Sequence, residues 1–542
     1  MATDLAPALA RLGAALRGVP RTIAARCAKG ASPDDFQAAL YDLAISYADL
    51  RAAQVLAERW EALSDLDRGL ATLFASDIAV EALDWLESAH ADLELPLDTL
   101  LDLRASPEIA ALRRSGRFAA ELGARVAAGE PTGSVALDED TAMAAEAFRR
   151  FAADVVAPQA ERIHRENLTV PESLLAPLRD MGVFGLSIPA RYGGSAGEDD
   201  NTPLMVAVTE ALSAGSLAAA GSLITRPEIL ARALLAGGTE AQKADWLPRI
   251  AAGDPLCAIA ITEPDYGSDV ASLALRATKV EDGWRLDGAK TWCTFAGKAG
   301  VLMVVARTDP DRSKGHRGLS LLLVEKPAFD GHDFRVEQPA GGTLTGRAIP
   351  TLGYRGMHSF DLAFDGLLVP EKNLIGEQSG EGRGFYLTMA GMTGGRIQTA
   401  GRALGVMRAA LDAAIGYARD RRVFGAPLAS YQLTAVKLAR MAARHAACRH
   451  LAYAVAADLD AGGDSADASL AKLIACRAAE WVTREALQIH GGMGYAEESA
   501  VSRYWVDARV LSIFEGAEET LALRVVARGL LESSPAGKET GR

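Results

Sequence analysis

The spacing of apolar residues changes twice along this chain, and those two changes limit the folds open to it. From residue 1 to about 255 apolar residues recur at helical spacing, as in "DDFQAALYDLAISYADLRAAQVLAERW" and "LDRGLATLFASDIAVEALDWLESAHADL". From 256 to 375 shorter runs take over, and "GVLMVVART", "LSLLLVEKP" and "FDLAFDGLLVP" read as strands with turn residues between them. "GWRLDGAKTWCTF" reads as a hairpin turning at Asp287-Gly288, a dipeptide suited to positive φ. After 376 helical spacing returns. "YQLTAVKLARMAARHAACRHLAYAVAADLDAGG" is apolar nearly all round, the pattern of a helix buried in a bundle or an oligomer interface. The expected fold is mainly α with a middle β-domain. Its parts are a helical extension (1–126), a linker around "AAGEPTGS" (127–137), a helical domain (138–255), the β-domain (256–375), a helical bundle (376–532) and a disordered tail (533–542).

A chain of 542 residues calls for roughly two to four domains, and a hydrophobic share of 49% indicates a folded protein. The longest apolar runs are too short or too interrupted by charge for membrane insertion. A net charge of -13 argues against nucleic acid as a partner, since phosphate binding needs clustered Lys and Arg. Cys27, Cys257, Cys293, Cys448 and Cys476 are odd in number and far apart, which fits reduced thiols in a cytoplasm and gives no metal site. The amphipathic first thirty residues lack a secretory apolar stretch and read as an ordinary helix.

No βαβ unit is present, and the glycines of "GEGRGF" follow a loop, so a Rossmann site has little support. Five other segments carry chemistry. "AITEPDYGSD" offers Thr262, Ser268 and bare amides around a Pro-Asp turn, which suits a polar ring or a pyrophosphate as well as a plain hydrogen-bonded loop. "KTWCTF" sets Trp292 and Thr294 two apart in a strand, so one face would present an aromatic wall and a hydroxyl. "RDRRVFG" spaces Arg421 and Phe424 one helical turn apart, for an anion contact with ring packing or a solvated helix end. In "QIHGGMGY", Gly491, Gly492 and Gly494 exceed what a helix cap needs. "LSIFEGAEETL" holds Glu515 at the end of an apolar run, as a cap for the helix that follows or as a reacting acid.

In order and spacing, TEPxxGSD, KxWxT, RxxFG, QxxGGxGY and [YF]EG resemble the acyl-CoA dehydrogenase family over about residues 138–532. The resemblance implies a helical domain, a β-domain and a C-terminal four-helix bundle, with FAD completed by a neighbouring subunit. It implies that Thr262 and Ser268 contact flavin or substrate and that Trp292 and Thr294 border the isoalloxazine ring. Arg421, Phe424 and Gln432 would meet the adenosine half of a partner's FAD, with Gln488 and Gly492 also lining it. Glu515 falls on the catalytic base. Relatives that carry the base beside the preceding helix's Arg have it where this chain has Gly395, next to Arg396. Glu515 would take the α-proton of a thioester while the β-hydrogen goes as hydride to FAD N5. Enclosure by Phe514, flavin and acyl chain should make it a stronger base.

Further variants, among them Tyr266 in "TEPDYGSDVA" and the stretches "TLGYRGMHSF" and "RIQTAGRALGVM", narrow the likeness to members that oxidise a short branched acyl-CoA carrying a carboxylate. Such a substrate calls for a small pocket and a cation. Tyr266 is the candidate filler, and Arg226, Arg355 and Arg396 are the candidate substrate-binding arginines. Ala517 replaces the usual Thr after "EG", and Thr393 replaces an acidic residue common before Arg396, so contacts to FAD and coenzyme A differ here. The implied partners are an acyl-CoA, an electron transfer flavoprotein as acceptor, and copies of the chain in a dimer or tetramer. The extension would shield one face and favour the dimer. Alternatives are another short or branched-chain acyl-CoA dehydrogenase, an acyl-CoA oxidase, or a scaffold or nucleic-acid-binding relative.

Overall fold

The computed structural model describes residues 5–197, 201–339 and 341–534, so residues 535–542 of the expected tail lie outside it. The chain forms two compact units, one of residues 1–139 with 399–542, the other of residues 140–398. Among the described residues no helix is long and apolar enough to cross a membrane.

The 140–398 unit begins with helices, continues in a curled sheet and closes on the first part of the helix Gly384–Asp420. Its strands are β1 (Cys257–Ala260), β2 (Arg276–Val280), β3 (Gly283–Thr294), β4 (Val301–Arg307), β5 (Leu319–Glu325), β6 (Asp333–Glu337), β7 (Thr343–Ala348) and β8 (Ser359–Pro370). They run in the order β1-β4-β2-β3-β8-β7-β6, with β5 paired to β4. The apolar runs of β4 and β5 lack alternation because both faces are buried. Leu302, Val304, Ala306, Leu322 and Val324 face the core inside the sheet. The residues between them, Val301, Met303, Val305, Leu321 and Leu323, face Leu230, Leu234 and Trp246 on the helices Thr225–Gly237 and Glu240–Ala251.

Asp287-Gly288 is not a hairpin turn. β3 runs straight through it, and the turn lies earlier, between Val280 and Gly283, where β2 and β3 pair. The dipeptide forms a bulge against β8, with a register shift between Leu286 and Gly288 and Gly288 at φ 138°. The positive φ was legible, but whether a chain turns or bulges depends on which strand pairs beside it. A second shift between Lys290 and Cys293, with Trp292 at φ 56°, breaks the alternation. Trp292 is therefore 55% exposed while Thr294 is buried, and the two do not present one simple face.

In the other unit the front helices Gln37–Glu58, Asp65–Ser88 and Gly116–Ala127 pack on Gln432–Asp460, which Ala466–His490 also touches. This accounts for the all-round apolar pattern of Gln432–Asp460. A Cβ on Gly123 would sit 1.8 Å from the Ala435 carbonyl oxygen, so the helices cross at backbone contact. The stretch read as a linker is held: Gly133 N–H donates to Asp67 (2.7 Å) and Arg449 donates to the Gly133 carbonyl (2.7 Å).

Candidate active site

Glu515 follows the helix Ala500–Leu511 in a loop closed by Glu518 N–H donating to the Ser512 carbonyl (3.0 Å). It has φ 54°, a conformation that costs a non-glycine residue on the order of 1 kcal/mol or more, so the surroundings must hold it. Lys472, buried on the helix Ala466–His490, does so by donating to the carbonyls of Phe514 (2.7 Å) and Gly516 (2.5 Å), one on each side of the acid. The Glu515 side chain is 11% exposed, and its Oε1 lies 3.9 Å from Nη2 of Arg402, a fully buried arginine. The Arg402 guanidinium stacks 4.7 Å from the Phe514 ring centre and donates to Thr399. Sequence reasoning missed Lys472 and Arg402. The signal for Arg402 was an arginine inside the apolar stretch "TAGRALGVM".

In the 140–398 unit, Thr262 accepts the Thr291 N–H at its carbonyl (2.9 Å), tying the "TEPDYGSD" loop to β3 beside Trp292. Glu263, also missed, anchors the same loop by accepting Ala274 N–H (2.7 Å), Leu275 N–H (2.8 Å) and the buried Lys290 ammonium (2.7 Å). Burial pushes the Lys290 pKa down, while the Glu263 carboxylate opposes that shift. Ser268 is exposed, and Tyr266 packs against the core between sheet and helices. Thr294 shares a hydrogen bond with Ser359 (2.9 Å). Arg226, far from being an exposed arginine, is 6% exposed and donates to the Ser222 carbonyl (2.9 Å) and the Tyr354 hydroxyl (3.4 Å). Next to Tyr354, Arg355 is spent on the carbonyls of Thr351 and His164. Arg396 is half-buried on the helix Gly384–Asp420. Two residues on, Gln398 is fully buried, and neither atom of its amide meets a hydrogen-bond partner among the described residues.

Arg421 and Phe424 do not share a helix. Helix Gly384–Asp420 ends before them, and Arg422–Val423 pairs with Ala426–Pro427 in a small ribbon. Phe424 and Gly425 take its turn at φ 48° and 86°, and Phe424 is 99% exposed. The two-residue turn with positive φ at both positions overrides the helical reading. Gln432 and Gln488 are also exposed. Of the three glycines after Gln488, Gly491 caps the helix at φ 59°, and a Cβ on Gly494 would meet the Leu487 carbonyl oxygen at 2.4 Å. Gly492 has neither reason: nothing lies within 4 Å of where its Cβ would be.

The chain matches the acyl-CoA dehydrogenase N-terminal domain over residues 138–254, the middle domain over 258–367 and the C-terminal domain over 382–531. It is 44% identical over 402 residues to (2S)-methylsuccinyl-CoA dehydrogenase of Cereibacter sphaeroides, covering 74% of this chain and 71% of that one. Among solved structures it resembles butyryl-CoA dehydrogenase from Megasphaera elsdenii (TM-score 0.67, 32% identity, 73% of this chain and 100% of that one). A glutaryl-CoA dehydrogenase from Mycobacterium smegmatis in complex with FADH2 is also similar (TM-score 0.64, 27% identity, 73% and 95%). The chain belongs to the acyl-CoA dehydrogenase family, a family of FAD-dependent oxidoreductases, and FAD is its cofactor. Taken by itself, the 140–398 unit fits that group in offering an exposed indole at Trp292 on which a flat ring can stack.

Proposed function

We propose that this chain oxidises a short, branched acyl-CoA carrying a terminal carboxylate, (2S)-methylsuccinyl-CoA to mesaconyl-CoA, in the ethylmalonyl-CoA route. The observation that carries the reading is the nearly buried Glu515 carboxylate with the Arg402 guanidinium 3.9 Å away. Glu515 takes the proton from the carbon α to the thioester, and the α,β double bond forms as the β-hydrogen departs with its electron pair. Bound FAD supplies the two-electron acceptor. The Glu515 backbone N–H would donate to the enolate-like oxygen that develops on the thioester. Arg226 is the cation for the substrate's own carboxylate, with Arg355 second, Tyr266 fills space that a longer acyl chain would use, and Arg396 meets the acyl-CoA.

Trp292 and Thr294 border the flavin ring, Thr262 and Ser268 contact flavin or substrate, and Arg421, Phe424, Gln432, Gln488 and Gly492 hold a partner copy's FAD. That last assignment accounts for a side chain as exposed as Phe424 and makes the protein a homo-oligomer, dimer or tetramer. Electron transfer flavoprotein would reoxidise it, in the cytoplasm. Support for the substrate comes from the likeness to the Cereibacter sphaeroides enzyme. Glu515→Gln should keep the yellow flavin yet lose its bleaching by methylsuccinyl-CoA under anaerobic titration. A near-normal reduction rate in that variant would sink the assignment of the base. Faster bleaching of the native protein by butyryl-CoA would return the chain to the ordinary short-chain dehydrogenases, and fast reoxidation by oxygen would make it an oxidase.

A further inference from the structure

The loop that carries Glu515 is gripped at three places by one helix, Ala466–His490. Glu480 accepts the Ser512 hydroxyl at the loop's start, and Lys472 takes the carbonyls on either side of the acid. Arg477 takes the Glu518 carboxylate at the loop's end (2.7 Å). Arg477 and Glu480, three apart, share a face of the helix, while Lys472 stands about 140° round from Arg477, so the loop is held from two sides. The third grip has a further member from outside the family-matched region, which begins at residue 138. Tyr41, on the front helix Gln37–Glu58, donates its hydroxyl to the same Glu518 oxygen, and Arg477 donates to the Tyr41 oxygen (2.8 Å). The Glu518 side chain is only 17% exposed, so its two donors replace most of its water. A second tie joins residues close to these two segments in sequence, Arg524 to Asp34 at 3.1 Å.

We propose that Tyr41 is a positioning residue for the dehydrogenation: through Glu518 and Arg477, the front helical block sets where the Glu515 carboxylate stands. The inference rests on Glu515 being the base. Glu515 sits at an unfavourable φ, held by neighbours rather than by its own preference, so a change in tension at Glu518 passes directly to it along three residues of backbone. Displacement of a reacting group by about 1 Å is enough to cost up to a hundredfold in rate. The Tyr41 phenol is pushed up to about 12, by burial first and by its bond to Glu518 second, so it remains a donor throughout the working pH range. Its grip would not relax as conditions change.

The test uses the full-length, FAD-loaded enzyme and compares Tyr41→Phe, Glu518→Gln and the double variant. Tyr41→Phe should lower the rate of flavin reduction at saturating substrate by about three- to tenfold. KM for the acyl-CoA, the flavin spectrum and the thermal midpoint should stay near those of the unaltered protein. The double variant should be no slower than Glu518→Gln alone, because both remove the same link. An unchanged reduction rate in Tyr41→Phe, or a loss in the double variant equal to the product of the two single losses, overturns the proposal. So does a fall in thermal midpoint that accounts for the lost rate. If Glu515→Gln still reduces at a normal rate, the reading of the base fails; if only Tyr41→Phe is silent, the base stands and this inference alone falls.

Discussion

At the scale of single residues, what distinguishes Glu515 is its company. A carboxylate between an aromatic residue and a glycine is a common helix prelude, and nothing within "IFEGAEE" says that its backbone will be held at φ 54° by a lysine bonded to both flanking carbonyls. Nor does the local stretch announce the buried guanidinium of Arg402. At 3.9 Å the Arg402 guanidinium is an ion-pair neighbour of Glu515 rather than a hydrogen-bond donor to it. On the proposed function, Arg226→Met should raise the KM for methylsuccinyl-CoA by about tenfold or more, the loss of roughly 1.4–3 kcal/mol expected for a charge-assisted contact. For butyryl-CoA, which has no carboxylate, KM should change far less, and steady-state kinetics with the two substrates measures the difference. Equal effects on both would remove Arg226 from substrate recognition. Arg402, which stands beside the acid, is not among the three substrate-binding arginines chosen from sequence, because burial is not a local property.

At the scale of elements, the helix Gln432–Asp460 shows what its composition costs. It is packed on nearly every side and carries two histidines, His445 and His450, whose ring nitrogens are buried without hydrogen-bond partners among the described residues. Desolvation first, then the nearby Arg59 and Arg449, hold the His450 pKa down at about 4. The sign follows: with a folded-state value below the ordinary 6.5, the unfolded chain binds the proton first, so stability is complete above pH 6.5 and is lost as pH falls towards 4. A shift of that size corresponds to roughly 3 kcal/mol across the window. Denaturant titrations from pH 7 to 4 should show this loss, and His450→Leu should flatten the slope. An equally steep slope in that variant would assign the acid sensitivity to other groups. Elements were read well where period alone decides, as in Gln37–Glu58 or the twin-faced β4 and β5. They were misread at Asp287-Gly288 and Phe424-Gly425, where strand pairing chooses between turn, bulge and helix.

At the scale of the whole chain, the notable fact is that one unit is assembled from both ends, residues 1–139 with 399–542. The front block covers apolar surface of Gln432–Asp460 as closely as Gly123 covers Ala435, with Arg440 bonded to Asp77 at 2.9 and 3.0 Å beside it. Deleting residues 1–126 would bare that helix, and an exposed apolar face of this kind drives self-association. The truncated chain should therefore appear in light scattering after size exclusion as aggregate or as a larger oligomer than the full chain. A well-behaved species with the full chain's subunit number would show that the block is dispensable for assembly.

The sequence by itself determined the family, the helix–sheet–helix order and the requirement for FAD, because periodicity and motif spacing are properties of neighbours along the chain. Tertiary structure alone decided which basic residues stand beside Glu515, how its strained backbone is held, and that Tyr41 reaches Glu518. Those contacts join residues distant in sequence, and they exist only once burial has removed the water that would otherwise satisfy each charge separately.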